Sequence, residues 1–275
     1  MLDTRFRRYR QLIGRFVAQI PFARKRILCR YSIAVSVTTM LSNTKAIVLK
    51  TIPYSDSKRI VALYTRQEGR LSAVLQIGSK RGCLSLLEPF SVVDLTIKKG
   101  KSTLYYINSI QRHLIFNDIS SDIRKRLVAV FMADVVYHTV KEEFTDDTLY
   151  DFLENSIASL NESRDDVFKF ITIFLLEYGR ILGFYPNINT YTEHSLFDMK
   201  SGIFCRIPPL HKHFIEEDDT ADFVRLLEVR YSNPSEIEYS QQQTNRLLDI
   251  VLEFLELHVS DFKHIKSLDI LRQII

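Results

Sequence analysis

The 275-residue chain has only three cysteines, Cys29, Cys83 and Cys205, at unrelated spacings. That excludes a disulfide scaffold and suggests a reducing compartment. Glycine and proline are also sparse, at eight and seven residues, which excludes a collagen-like chain. No apolar run approaches the roughly 18–20 residues of a membrane span, so the chain reads as soluble, with no membrane partner. Phosphate-cradling Gly-rich loops, HExxH and nucleophile elbows are all missing. What is present is ordinary globular material, 46% hydrophobic and 25% charged. Disorder is excluded, and the length is a soft prior for two domains.

Acidic residues are nearly missing from the front of the chain. Residues 1–39 hold nine Lys/Arg and one acid, Asp3, a net of +8. Residues 40–119 hold twelve Lys/Arg and five acids, a net of +7, whereas residues 120–275 hold sixteen against twenty-seven, a net of −11. A basic front and an acidic back suggest separate jobs. Three readings compete for the leader: an import peptide, a nucleic-acid-binding arm, or upstream sequence preceding a true start at Met40. The regular hydrophobic pattern begins just after Met40, which favours the last, and residues 1–39 are set aside from the fold.

From residue 40 to 115 the pattern is that of short strands. Thr44–Ile52 is β-branched and bounded by Pro53, Ser55 and Asp56. Lys58–Arg66 and Gly69–Ile77 form a hairpin across Gln67-Glu68-Gly69, with Leu71, Ala73, Leu75 and Ile77 inward. A basic loop, residues 78–82, precedes a second hairpin, Phe90–Lys98 and Ser102–Arg112. Five strands in so short a segment suit an OB-fold barrel, whose strand 2–3 face binds single-stranded nucleic acid through a basic groove and aromatic platforms. The candidate phosphate contacts are Lys50, Lys58, Arg66, Arg70, Lys80 and Arg81, and the candidate stacking surfaces are Tyr54, Tyr105 and Tyr106. Core packing is the competing reading for each tyrosine, and a solvated face for each cation.

Residues 116–275 read as an all-α domain with an irregular insert at about 187–217. Ser120 or Ser121 caps a helix running through IRKRLVAVFMADVVYHTVKEE. Asp146-Asp147 opens a second helix to about Leu160, and Asp165-Asp166 a third, apolar nearly all round and therefore central. A last long helix runs from about Ser240 to Val259. The acidic run Glu216–Asp219 reads as a solvated loop before a helix near Thr220. His194, Cys205, His211 and His213 form the one metal-like cluster, but their spacing matches no standard zinc pattern. Cys83, beside Lys80 and Arg81, reads as a bystander thiol more readily than as a reactive one. No catalytic constellation emerges and no cofactor is expected.

Four stretches, in order, resemble the RecO family of bacterial recombination mediators: KAIVLKTIPYSDSKRIVALYTRQEGRLSAVLQIGSKR, LEPFSVVDLTIKKG, LLEYGRILGFYPN and the terminal FKHIKSLDILRQII. The resemblance implies an α+β, two-part protein, a five-stranded OB-fold followed by a helical domain. It implies a non-catalytic, cytoplasmic, nucleoid-associated repair protein that binds single- and double-stranded DNA and anneals complementary strands. Implied partners are RecR, the acidic C-terminal tail of single-strand-binding protein and, indirectly, RecA. In the family the tail pocket lies on the helical domain, where Arg124, Lys125 and Arg126 are the densest basic cluster. Their competing reading is three solvated residues. Many members hold zinc with two CxxC pairs after the LG-x-x-P turn. Here the corresponding stretch has only Cys205, so the chain resembles a zinc-free branch. Two other readings remain beside the mediator: a generic OB-fold RNA-binding protein, and a metal-dependent hydrolase using the His/Cys cluster.

Overall fold

The computed structural model describes residues 41–77, 81–100, 103–164, 166–229 and 238–274, with the side chains of residues 81–83 and 274 outside the description. The basic leader, Lys80 and Asp165 lie outside the described residues.

Five strands close into a barrel: β1 (Leu41–Ser55), β2 (Lys58–Thr65), β3 (Gly69–Gln76), β4 (Val92–Lys99) and β5 (Tyr105–Arg112). Their order around the barrel is β1-β2-β3-β5-β4, antiparallel except for the β3–β5 pair. The β2–β3 turn ends on Gly69 at φ +68°. A Cβ there would stand 2.2 Å from the Phe144 carbonyl oxygen, so the position requires glycine on both counts.

β3 alternates as the sequence predicts, with Leu71, Ala73 and Leu75 buried in the barrel beside Val61, Leu63, Val93, Leu95 and Ile97. β1 and β2 do not alternate cleanly, because both of their faces are covered. Ala46, Val48, Val61 and Leu63 fill the barrel, while Ile47, Leu49, Ala62 and Tyr64 on the outside join the core of the helices. A register shift between Val48 and Lys50 breaks the alternation there, so that Lys50 follows Leu49 on the outward side, opposite Ala62.

The helices are α1 (Asn117–Ser121), α2 (Ile123–Thr139), α3 (Asp147–Glu162), α4 (Val167–Ile181), α5 (Glu217–Glu228), α6 (Gln241–His258) and α7 (Ser267–Ile274). α4 is central, with Phe170, Ile171, Phe174, Leu175 and Tyr178 all buried. Its end is fixed by Gly183, in the left-handed region at φ +86°. Ser240 and Gln243 form a reciprocal capping box at α6.

Three expectations about the helices need correction. Ser120 and Ser121 belong to the short α1. α2 is capped instead by Asp122, whose carboxylate accepts the Arg124 amide at 2.8 Å and is held below the usual range by that bond. α2 also stops at Thr139, because the next segment turns back onto the barrel, where the Glu143 amide donates to the Arg70 carbonyl. The acids Glu217, Asp218 and Asp219 form the first turn of α5 and are not a loop ahead of it, as the positive end of a helix dipole favours.

The insert is not irregular either. Its strands β6 (Leu196–Asp198), β7 (Ile203–Cys205) and β8 (Phe214–Ile215) form a small sheet in the order β7-β6-β8. Phe197 anchors it, packing its ring against Phe204, Phe223 and Phe254.

Candidate nucleic-acid interface

Outward residues of the barrel line up in cross-strand rows. One row runs Ile52, Ile60, Val74, Tyr106 and Lys98 through successive pairings of β1, β2, β3, β5 and β4. Tyr106 is 50% exposed, Ile52 is exposed, and Tyr54 at the end of β1 is 66% exposed. Lys58 pairs with Gln76 one row further out, and Lys50 pairs with Ala62 on the other side. Among the described residues neither Lys58 nor Lys98 makes an ion pair. The result is an apolar and aromatic strip bordered by three lysines, with Asp56 in the adjacent turn. Exposed rings bordered by cations are what single-stranded nucleic acid requires.

The strip is only half of the strand 2–3 face, because the helices cover the rest. Tyr64 lies against Tyr150 of α3 with ring centroids 6.3 Å apart, and its hydroxyl donates to the Asp146 carbonyl at 3.3 Å. Burial pushes the Tyr64 pKa up to about 12. Arg66 forms two bonds to the Asp151 carboxylate, at 2.7 and 3.2 Å, and stands 3.4 Å from Asp147. Arg70 donates to the Val140 carbonyl at 2.7 Å and lies over the Tyr137 ring. Both arginines therefore fasten the barrel to the helices and leave the candidate phosphate set. Lys50 lies over the same Tyr137 ring at 4.7 Å while staying exposed.

Tyr105 is a further correction. It is buried inside the barrel, and its hydroxyl donates to Glu68 at 3.3 Å, so it offers no stacking surface. Burial and then the Glu68 charge raise its pKa. Strand parity carries the distinction: Tyr105 shares its face with Ile107, and Tyr106 takes the opposite one. Parity also marks Ile60, Val74 and Lys98, which the sequence reading did not single out. Lys80 and the Arg81 side chain lie outside the described residues, although the backbone of Arg81–Leu86 forms a 3-10 turn.

A second feature lies between the Glu88–Ser91 segment, the end of β5, and α1 and α2. It is a groove of about 260 Å³ whose walls include Leu114, Phe116, Ile119 and Val130, with Arg112 and Arg126 among its lining. Only Arg126 of the basic cluster reaches it. Arg124 turns to Asp122 at 3.3 Å, and Lys125 donates to the Asn161 carbonyl at 2.6 Å.

The histidines of the insert do not fit a zinc site of the CxxC type. His194 bonds to Glu217, His211 lies 3.3 Å from Asp198, and His213 lies 2.7 Å from Glu253. Cys205 donates to the Ile207 carbonyl, and its thiol is pushed up by burial. These groups are pointed at separate partners, and among the described residues no three of them converge. Among those residues, too, no helix is long and apolar enough to cross a membrane.

Comparison with known proteins agrees with the order of parts. Residues 40–115 match the family described as Recombination protein O N terminal, and residues 120–191 match Recombination protein O C terminal. The chain is 32% identical over 239 residues to the DNA repair protein RecO of Phocaeicola vulgatus, covering 86% of this chain and 99% of that one. It is 29% identical over 240 residues to the RecO of Bacteroides fragilis and 28% identical over 241 residues to that of Flavobacterium psychrophilum, with the same coverage in each case. With a closed five-stranded barrel, a helical region behind it and relatives matched over nearly their whole length, the chain belongs to the RecO family of DNA repair proteins.

Proposed function

We propose that this protein is a non-catalytic recombination mediator. It binds single- and double-stranded DNA through the exposed half of its barrel and anneals complementary strands. With RecR it helps load RecA onto DNA coated by single-strand-binding protein. The observation that carries this reading is the strip of Tyr106, Ile60 and Val74 bordered by Lys50, Lys58 and Lys98. Annealing requires two phosphate backbones to be neutralised together, which a lysine-bordered surface does without any acid–base residue. Lys80 and Arg81, in the basic stretch that follows β3 in sequence, are proposed as further phosphate contacts.

Displacing single-strand-binding protein requires a separate docking point. The groove beside Arg112 and Arg126 supplies apolar walls for the side chains of its tail and two guanidinium groups for the carboxylates. Arg126 therefore stays in the tail pocket, and Arg124 and Lys125 leave it.

The test is strand annealing by the full chain with and without single-strand-binding protein. Lys58→Glu with Lys98→Glu should weaken single-strand binding by about tenfold or more at moderate salt. Arg112→Glu with Arg126→Glu should spare binding to naked DNA and abolish annealing on coated DNA. Binding like the parent by the first variant would sink the barrel reading. Unimpaired annealing on coated DNA by the second would sink the groove.

A further inference from the structure

Residues 206–212, Arg206-Ile207-Pro208-Pro209-Leu210-His211-Lys212, connect β7 to β8. The base of this loop is pinned. Cys205 Sγ donates to the Ile207 carbonyl at 3.3 Å, His211 Nε2 lies 3.3 Å from Asp198, and the Met199 amide donates to the His213 carbonyl at 3.1 Å. Its tip is apolar and open: Ile207 is 80% exposed and Leu210 fully exposed. The two prolines between them restrict the backbone, so little conformational freedom remains to be lost when the tip meets a partner.

A single exposed leucine on a surface calls for no explanation. Here two large aliphatic side chains stand at the end of a stiff loop whose own sequence is basic, unlike the rest of the helical part, although Glu217 and Glu253 reach the insert's histidines His194 and His213. Between residues 194 and 213 Asp198 is the one acid, and it faces His211. Lys200, Arg206 and Lys212 oppose it, all exposed. Among the described residues none of the three makes an ion pair; the Arg206 Nε only reaches the Thr192 hydroxyl, at 3.4 Å. From residue 120 onward the chain otherwise carries twenty-six acids against thirteen Lys/Arg. A polyanion is repelled by such a body except where the sign reverses locally, and this loop is such a place. A protein pocket for an isoleucine and a leucine would place no such demand on the surrounding charge.

We propose that residues 206–212 form a second contact for single-stranded nucleic acid. The phosphates lie against Lys200, Arg206 and Lys212, and Ile207 and Leu210 cover the faces of unstacked bases. The inference rests on the DNA-binding reading above and extends it from the barrel to the insert.

The experiment titrates the full chain against a fluorescent oligothymidylate and a matching strand carrying 2-aminopurine, over a range of salt. It compares the parent, the barrel variant Lys58→Glu with Lys98→Glu, Arg206→Glu with Lys212→Glu, and Ile207→Ser with Leu210→Ser. The loop charge variant should bind about fivefold more weakly, with the slope of log affinity against log salt reduced by about 1–2. The loop apolar variant should lose the 2-aminopurine signal that accompanies binding by the parent. Both loop variants change exposed residues, so their melting temperatures should match the parent's. If both bind as the parent does, with the same slope and signal, while the barrel variant fails, the loop inference falls and the barrel reading stands. If the parent shows no salt-sensitive binding, the barrel reading falls and takes the loop inference with it. Loop variants that keep all DNA signals and lose binding to RecR would assign the loop to a protein and overturn the inference.

Discussion

Tyr105 and Tyr106 are adjacent in sequence and opposite in role. One fills the barrel with its hydroxyl on Glu68; the other lies on the outer strip beside Lys98. Replacing them should separate two measurements. Tyr105→Ala should cost about 3 kcal/mol or more in denaturant unfolding, because it leaves a cavity in the barrel core that it shares with Leu71 and Ile97. Tyr106→Ala should leave stability within about 0.5 kcal/mol and weaken single-strand binding, by about tenfold if one stacked base is lost. Equal effects of the two on stability would contradict the assignment of faces. Gly69 is the other residue whose role is sharply defined. Gly69→Ala forces a left-handed backbone and a clash with the Phe144 carbonyl, and should destabilise by at least about 1–3 kcal/mol. Neither feature needed a motif to be found. Strand parity was legible for Tyr106, but the approach of Phe144, seventy-five residues downstream, was not.

The helix starts carry the chemistry at the scale of elements. Asp122, Asp146, Asp166 and Ser240 each place a side-chain oxygen on an amide of the first turn. Ser240→Ala should cost about 1 kcal/mol, read by thermal or denaturant unfolding. Asp122 gives a pH dependence whose sign is fixed. Its folded pKa is depressed, chiefly by the Arg124 amide and then by the Arg124 side chain. The stability it contributes is present above the unfolded carboxylate value near 4 and is lost as pH falls through the lower folded value. Asp122→Asn keeps an acceptor and should flatten that part of the profile, while leaving stability at pH 7 little changed. A profile that is identical in the variant would remove Asp122 as its origin. At this scale most of the bundle was readable, since α3, α4 and α6 have strong apolar stripes and side-chain caps. The insert was not, because strands of two or three residues are too short to show a period. Their pairing depends on Phe197 meeting rings from α5 and α6.

For the whole molecule, the decisive fact is that barrel and helices share one core. Ile47, Leu49, Ala62, Tyr64, Phe90 and Val92 of the barrel side pack in the same cluster as α2, α3 and α4. Half of the strand 2–3 face is therefore structural, and DNA affinity should depend on the open half. On the proposed reading that surface binds phosphates through cations, so affinity should fall steeply with salt, and Lys80→Glu with Arg81→Glu should weaken binding to all sequences alike; sequence-selective loss would contradict a backbone contact. By itself the sequence determined the class of fold, the five strands, the main helices and the separation of basic front from acidic back. These are local or compositional properties, carried by periodicity, caps and charge. Only the tertiary structure decided which cations face solvent. Arg66 and Arg70 look in sequence like Lys58, yet they meet Asp151 and Val140 across the barrel–helix contact. The physical reason is that a side chain's availability depends on which surface another element covers. That contact joins residues about seventy to eighty-five positions apart, beyond the reach of any local pattern.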